Sequence, residues 1–312
     1  MPSYSGVWTL TAQFQAIGQG LWPAPPLAGD IGLFGGGDVA SVYVNTIAYI
    51  SIASTGNAID FGDLTVGRTE IAACSSSVRG VFGGGNTLTN VMDYVTITTV
   101  GNATDFGDLT QARRGLAGCS SSTRGVFGGG TTGSSVNTID YITIATPGNA
   151  TDFGDLTVSR HYIAACSSTT RGVFGGGQNG GTDSNVMDYI TIASTGNATD
   201  FGDLSAVTTY LGACSSSTRG LFAGGQVTNT IEYITIASTG NATDFGDLTQ
   251  ARYGLAGCSS STRGVFGGGW TTQSVNTIDY VTIASTGNAT DFGDLTAAVY
   301  GLAACSNAHG GL

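Results

Sequence analysis

Hydrophobic residues in this chain come in short runs set apart by glycine, serine, threonine, asparagine and aspartate, and the runs return in the same order many times. One cycle occupies residues 253–295. A small apolar run at 254–261 leads into a Thr262-Arg263-Gly264 turn, a second run at 264–267 and a stop at Gly268 and Gly269. Residues 276–284 combine β-branched and aromatic side chains, a Ser-Thr-Gly-Asn turn follows, and residues 289–295 close the cycle. The pattern predicts four short strands with no helical period. In the third strand Ile278 and Tyr280 share one parity while Val281 and Ile283 share the other. A strand apolar on both sides belongs to a sheet covered on both faces.

The cycle is counted by Phe-Gly-Asp-Leu, which begins at Phe61, Phe106, Phe153, Phe201, Phe245 and Phe292, a period of 44 to 48 residues that suits one supersecondary unit. A cysteine follows each Phe by 13 residues: Cys74, Cys119, Cys166, Cys214, Cys258 and Cys305. The chain enters in mid-cycle. Its first glycine run, from Phe34 to Gly37, has no small-residue strand before it, and the last such strand, residues 301–305, has no partner after it. Pairing these two ends gives an all-β, six-bladed β-propeller of four-stranded blades, closed by the C-terminal strand and free of an unpaired edge. The domain reading is a propeller at 31–312 preceded by an N-terminal docking arm at 1–30.

The order Arg252, small strand, Gly268-Gly269, Asp279-Tyr280, Phe292 and Leu295 resembles the kelch repeat, over residues 31–312. It departs in having phenylalanine where kelch repeats usually have tryptophan, and in having Thr208 and Val299 in place of two of the arginines. The resemblance implies the same propeller fold. The arm does not repeat. Its Gly6-Val-Trp-Thr-Leu start, Gln13, Gln15 and Leu21-Trp22-Pro23 resemble short segments that open bacteriophage tail and virion-associated proteins. That resemblance implies docking to other virion proteins through Trp8, Phe14 and Trp22. The residues themselves predict a short helix at 12–17, capped by Thr11 and ended before Gly18.

Composition narrows the partners. The chain has no lysine, ten arginines and twenty-one acids, for a net charge of −11, which argues against nucleic acid. The first residues lack the basic start and apolar stretch of a secretion signal, and no run is long enough to span a membrane. Assembly in a bacterial host's cytoplasm, with the virion as final location, is the expectation. The six cysteines sit at equivalent places in successive repeats, too far apart for bridges, and read as small buried thiols.

Few residues suggest catalysis. The repeated Asp-Phe-Gly lacks the surroundings of a kinase site. Asp291 and Asp294 fall short of the oxygen ligands a calcium loop needs, and His161 and His309 stand in no metal or nucleophile motif. No cofactor and no metal are expected. Asn102, Asn149, Asn197, Asn241 and Asn288 form Asn-Ala-Thr sequons, read here as turn residues tolerating a left-handed backbone. Arg79, Arg124, Arg171, Arg219 and Arg263 form an incomplete ring with Gly310 at the sixth place, expected to pair with the repeated aspartates.

The copies differ in two segments that a propeller brings to one face. One is the loop after the glycine run. The other is the connection between blades, where Thr69, Arg114, His161, Thr209, Tyr253 and Tyr300 are followed by Glu70, Gly115, Tyr162, Tyr210, Gly254 and Gly301. Variable loops on a rigid scaffold are common binding surfaces. The candidate ligand-binding residues are Tyr43, Arg114, His161, Tyr162, Gln178, Asp183, Tyr210, Gln226, Tyr253, Trp270 and Tyr300, and aromatics beside amides and an acid suit sugar rings. The expected function is a non-catalytic bacteriophage virion or tail-associated protein displaying this face to a host-surface glycan or a neighbouring virion protein. A purely architectural subunit and a carbohydrate-active propeller enzyme are the alternatives.

Overall fold

The computed structural model describes residues 26–312 apart from residue 227, and the expected docking residues Trp8, Phe14 and Trp22 and the helix at 12–17 lie outside the described residues. Six antiparallel sheets stand in a ring, each with four principal strands in meander order. The third blade is typical: Ala117–Ser120, Arg124–Gly128, Thr138–Thr143 and Thr151–Asp155, from the axis outward. The strand Ala303–Ser306 pairs with Ile31–Gly35 through Gly32↔Ser306, Leu33↔Cys305, Phe34↔Ala304 and Gly35↔Ala303. The last strand of the chain is therefore the innermost strand of the first blade, and the ring closes as the sequence predicts.

Small residues let six inner strands meet at the axis. Each inner serine donates its hydroxyl to the carbonyl of the inner serine before it, from Ser75 to Ser306 at 2.7 Å round to Ser306 to Ser259 at 2.6 Å. Each cysteine points into the gap between blades, against a glycine of the next blade's second strand. A Cβ on Gly172 would lie 2.6 Å from the Cys119 sulfur, and one on Gly32 would lie 2.7 Å from that of Cys258. Such glycines have no room for a side chain because the thiol occupies it. All six thiols are buried and unbridged, and burial pushes those of Cys119 and Cys305 up to about 12.

The outer edges are fastened by the Phe-Gly-Asp turn. Gly107 adopts φ +134°, and a Cβ there would lie 2.6 Å from the carbonyl oxygen of Gly148 in the next blade. Beside it the Asn149 side chain accepts the Asp108 N–H at 3.1 Å, and the same bond recurs around the ring from Asn102 to Asp63 through Asn57 to Asp294. The sequon asparagines are thus clasps between blades. None of these asparagines has the expected left-handed backbone.

Two sets of arginines join blades in different ways. Arg68, Arg113, Arg160 and Arg252 lie in the connections and reach into the following blade, pairing with Asp93, Asp140, Asp188 and Asp279. Arg113 also donates to the carbonyls of Phe127, Gly129 and Thr138, and both Arg113 and Asp140 are 0 % exposed. The second set departs from expectation. Arg79, Arg124, Arg171, Arg219 and Arg263 do not pair with the repeated aspartates. Each lies over the tyrosine of its own blade, 4.2 to 4.5 Å from the ring centre, and donates to an isoleucine carbonyl of the next blade. The carboxylates near the outer turns are solvated, whereas an aromatic face and a free strand-end carbonyl lie within reach of a planar cation. The sixth place in this ring is the strand start Ile31, opposite Ser51, because the strand paired with Ala303–Ser306 is Ile31–Gly35 and not the segment after Ser306; Gly310 turns inward instead.

Candidate functional site

Both variable segments lie on one face, joined by short backbone bridges: Arg114 with Thr131, His161 with Gln178, Tyr253 with Trp270 and Tyr300 with Asp38. Inside this row a second ring surrounds the axis. The N–H of Glu70 donates to Gly301, and those of Gly115, Tyr162, Tyr210, Gly254 and Gly301 each donate to the ring member before, at 2.6 to 2.9 Å, until the circle closes. All six residues have left-handed backbones, with φ between +56° and +67°. Three are glycine, for which this costs nothing. Glu70, Tyr162 and Tyr210 carry side chains there, at a cost of roughly 1–2 kcal/mol each.

Those three strained residues meet over the channel mouth. The Tyr162 hydroxyl donates to Glu70 at 3.3 Å, the Arg114 guanidinium reaches the same carboxylate at 2.9 Å, and the Tyr162 and Tyr210 rings stack with centres 3.6 Å apart. His161 lies 4.4 Å from Tyr162, and Tyr253 meets Tyr210 edge-on at 5.7 Å. Beneath them is a cavity of about 60 Å³ that reaches Leu116, Ile163 and Leu255. Burial raises the Glu70 carboxyl above its ordinary value despite Arg114, and burial together with the Tyr162 contact raises Tyr210. Backbone strain is thus held at a mouth lined by an acid, a cation and aromatic rings.

The other predicted residues fall into separate groups. Trp270 and Tyr300 pack edge-on at 5.1 Å. Asp183 accepts from Gln178 at 3.1 Å and from Gln226, linking the loops of neighbouring blades. Tyr43, 40 % exposed, receives the Asn86 amide at 2.6 Å. Glu70, which is not among the candidates read from the sequence, is the central residue. Its signal was present in the sequence: a charged residue at a position that three copies fill with glycine. Among the described residues no three His, Cys, Asp or Glu side chains converge as a metal ligand set.

Residues 309–311 lie in the opposite mouth. His309 sits in the channel among the inner serines, its Nε2 donating to the Ser75 carbonyl at 3.1 Å and lying 3.2 Å from the Ser120 hydroxyl, while Nδ1 accepts the Gly311 N–H at 3.0 Å. Every ring nitrogen is thus used by the neutral imidazole. Burial lowers the His309 pKa to about 4, and a second proton would meet the Gly311 N–H. Since the folded value lies below the ordinary 6.5, the tail's contribution is complete above about pH 6.5 and is lost as pH falls toward 4. Nuclear magnetic resonance of His309 should show titration near pH 4; titration near 6.5 would mean the tail is not held in the channel.

Compared with known proteins, the chain matches no family model and no curated protein.

Proposed function

We propose that this propeller is a non-catalytic bacteriophage virion or tail-associated protein whose varied face binds a glycan on the host surface. The phage setting is supported by the likeness of the N-terminal segment to those of tail and virion-associated proteins, and the finer kelch-like reading by the repeat order quoted above. One observation carries the binding reading: Glu70, Tyr162 and Tyr210 accept a left-handed backbone that glycine fills in the other three copies, and they do so where their side chains meet. A half-buried tyrosine stack flanked by Glu70, Arg114 and His161 offers a sugar both a stacking plane and charged hydrogen-bond partners. A neighbouring virion protein is the other partner such a face suits.

A glycan array tests this. Tyr162→Gly and Tyr210→Gly place at each position the residue the same ring carries elsewhere, so the blades should stay intact. Wild-type binding weakened tenfold or more in both variants, with unchanged circular dichroism, is the expected result. Equal binding by wild type and variants, or no binding to any glycan, would remove the glycan reading and leave protein neighbours as partners.

A second reading rests on Tyr162, Glu70 and Arg114. A phenol donating to a carboxylate beside an arginine is an arrangement for activating a tyrosine nucleophile, as in glycosidases that use one. Release of reducing sugar from a bound glycan, lost in Tyr162→Phe, would favour that enzyme over the binding module.

A further inference from the structure

The arginine latch is present in four of the six places, and the two exceptions differ. At the first blade both partners are gone: Val299 stands for the arginine and Ala48 for the aspartate, and the gap they line is about 60 Å³ and largely apolar. At the fifth blade only the cation is gone. Thr208 stands for the arginine, and the acid remains as Glu232, paired opposite Phe222 just as Asp140 is paired opposite Phe127. The place of the missing guanidinium is a cavity of about 180 Å³.

Its acceptors are those the latch uses elsewhere. Arg68 donates through Nη1 to the carbonyls of Gly84 at 2.9 Å and Val91 at 2.7 Å, and through Nη2 to Asp93. Gly224, Thr230 and Glu232 occupy the equivalent places and line the cavity. The backbone is held alike in both blades, with Gly84 N–H to Val91 at 3.1 Å and Gly224 N–H to Thr230 at 3.0 Å. Glu232 is 7 % exposed, and its partner among the described residues is the Ser205 N–H at 3.0 Å on Oε1. Leu211 and Phe222 form apolar wall, and the rim is open, with Val207 56 % exposed.

We infer that this cavity is a binding site for a guanidinium group supplied from outside the blade. A carboxylate and two carbonyls arranged for a planar, multi-donor cation match guanidinium better than a compact ammonium, and the apolar wall suits an alkyl stem. A buried acid without a cation is costly. The first blade shows that this scaffold also accommodates an apolar pair in its place. The cavity lies beside the connection between the fourth and fifth blades and shares no residue with the tyrosine mouth except Leu211.

The test uses the whole protein and methylguanidinium at constant ionic strength, followed by the Ser205 amide signal and by thermal unfolding. A saturable shift of that amide together with a higher Tm is expected, with neither produced by sodium or tetramethylammonium. Glu232→Gln should weaken binding roughly tenfold or more, as expected for the loss of a charge-assisted bond. Thr208→Arg, which fills the place from within, should raise Tm without ligand and abolish the response. Agmatine and N-acetylarginine amide separate the sources: a response to both fits an arginine side chain of a neighbouring protein, and a response to agmatine alone fits a free small cation. No response to any of the three, or an equal response in Glu232→Gln, would overturn the site.

Discussion

Deleting residues 303–312 is expected to abolish the cooperative fold, whereas deleting residues 309–312 is expected to leave it intact. The longer deletion removes the inner strand of the first blade, and with it all four register pairs to Ile31–Gly35. That strand is buried along its full length, so its freed N–H and C=O groups would form an apolar unpaired edge of the kind that associates with other chains. Losses spread beyond one blade. The Ser306 hydroxyl bond to Ser259 and the Ser75 bond to Ser306 both vanish, opening the serine ring, and the Cys305 thiol no longer fills the space beside Gly80. The shorter deletion removes His309 and the turn after it but none of these. Scanning calorimetry and size exclusion are the measurements: the longer deletion should lose its thermal transition and aggregate. A transition within a few degrees of wild type would show that this strand does not hold the ring shut.

Much of this architecture was legible because six copies repeat the same physics. The strand order, the mid-cycle start that requires closure, and the placing of two variable segments on one face all follow from the spacing of Phe-Gly-Asp-Leu and the glycine runs. What each residue meets across the gap between blades was less legible. Repetition identifies equivalent positions but does not say which neighbour a side chain faces. So the Arg79 series, whose charge suggests pairing with nearby aspartates, instead stacks on tyrosines and reaches the next blade's carbonyls. Asn102, a residue type that suits a turn backbone, works instead through its side chain, which accepts the Asp63 N–H. Gly310 has the same spacing from Cys305 as Arg79 has from Cys74, yet the strand paired with Ala303–Ser306 is Ile31–Gly35, and Gly310 lies in the channel instead, where its N–H meets Ser215 at 3.0 Å. The site was half legible. Tyr162, Tyr210 and Arg114 stood out as variable, but the left-handed ring that makes Glu70 their centre is a backbone property that only the closed fold produces.

Asp140→Ala is expected to destabilise the protein by about 3–5 kcal/mol, because it leaves the Arg113 guanidinium buried with only neutral partners. Thr110 would also lose the carboxylate that accepts both its N–H at 3.2 Å and its hydroxyl at 2.5 Å. The pair itself is not a source of great stability. Burial holds the Arg113 pKa below its ordinary value even with Asp140 beside it, so the cost of removing the cation from water exceeds what the partner returns. Replacing both residues should therefore cost much less than replacing one. The protein contains this replacement already: Val299 and Ala48 at the first blade. The Arg113→Val, Asp140→Ala double variant is expected to recover most of the loss of the single one in urea denaturation. A double variant as unstable as Asp140→Ala, or a single variant costing under about 1 kcal/mol, would contradict the account of these arginines as latches whose main requirement is a partner.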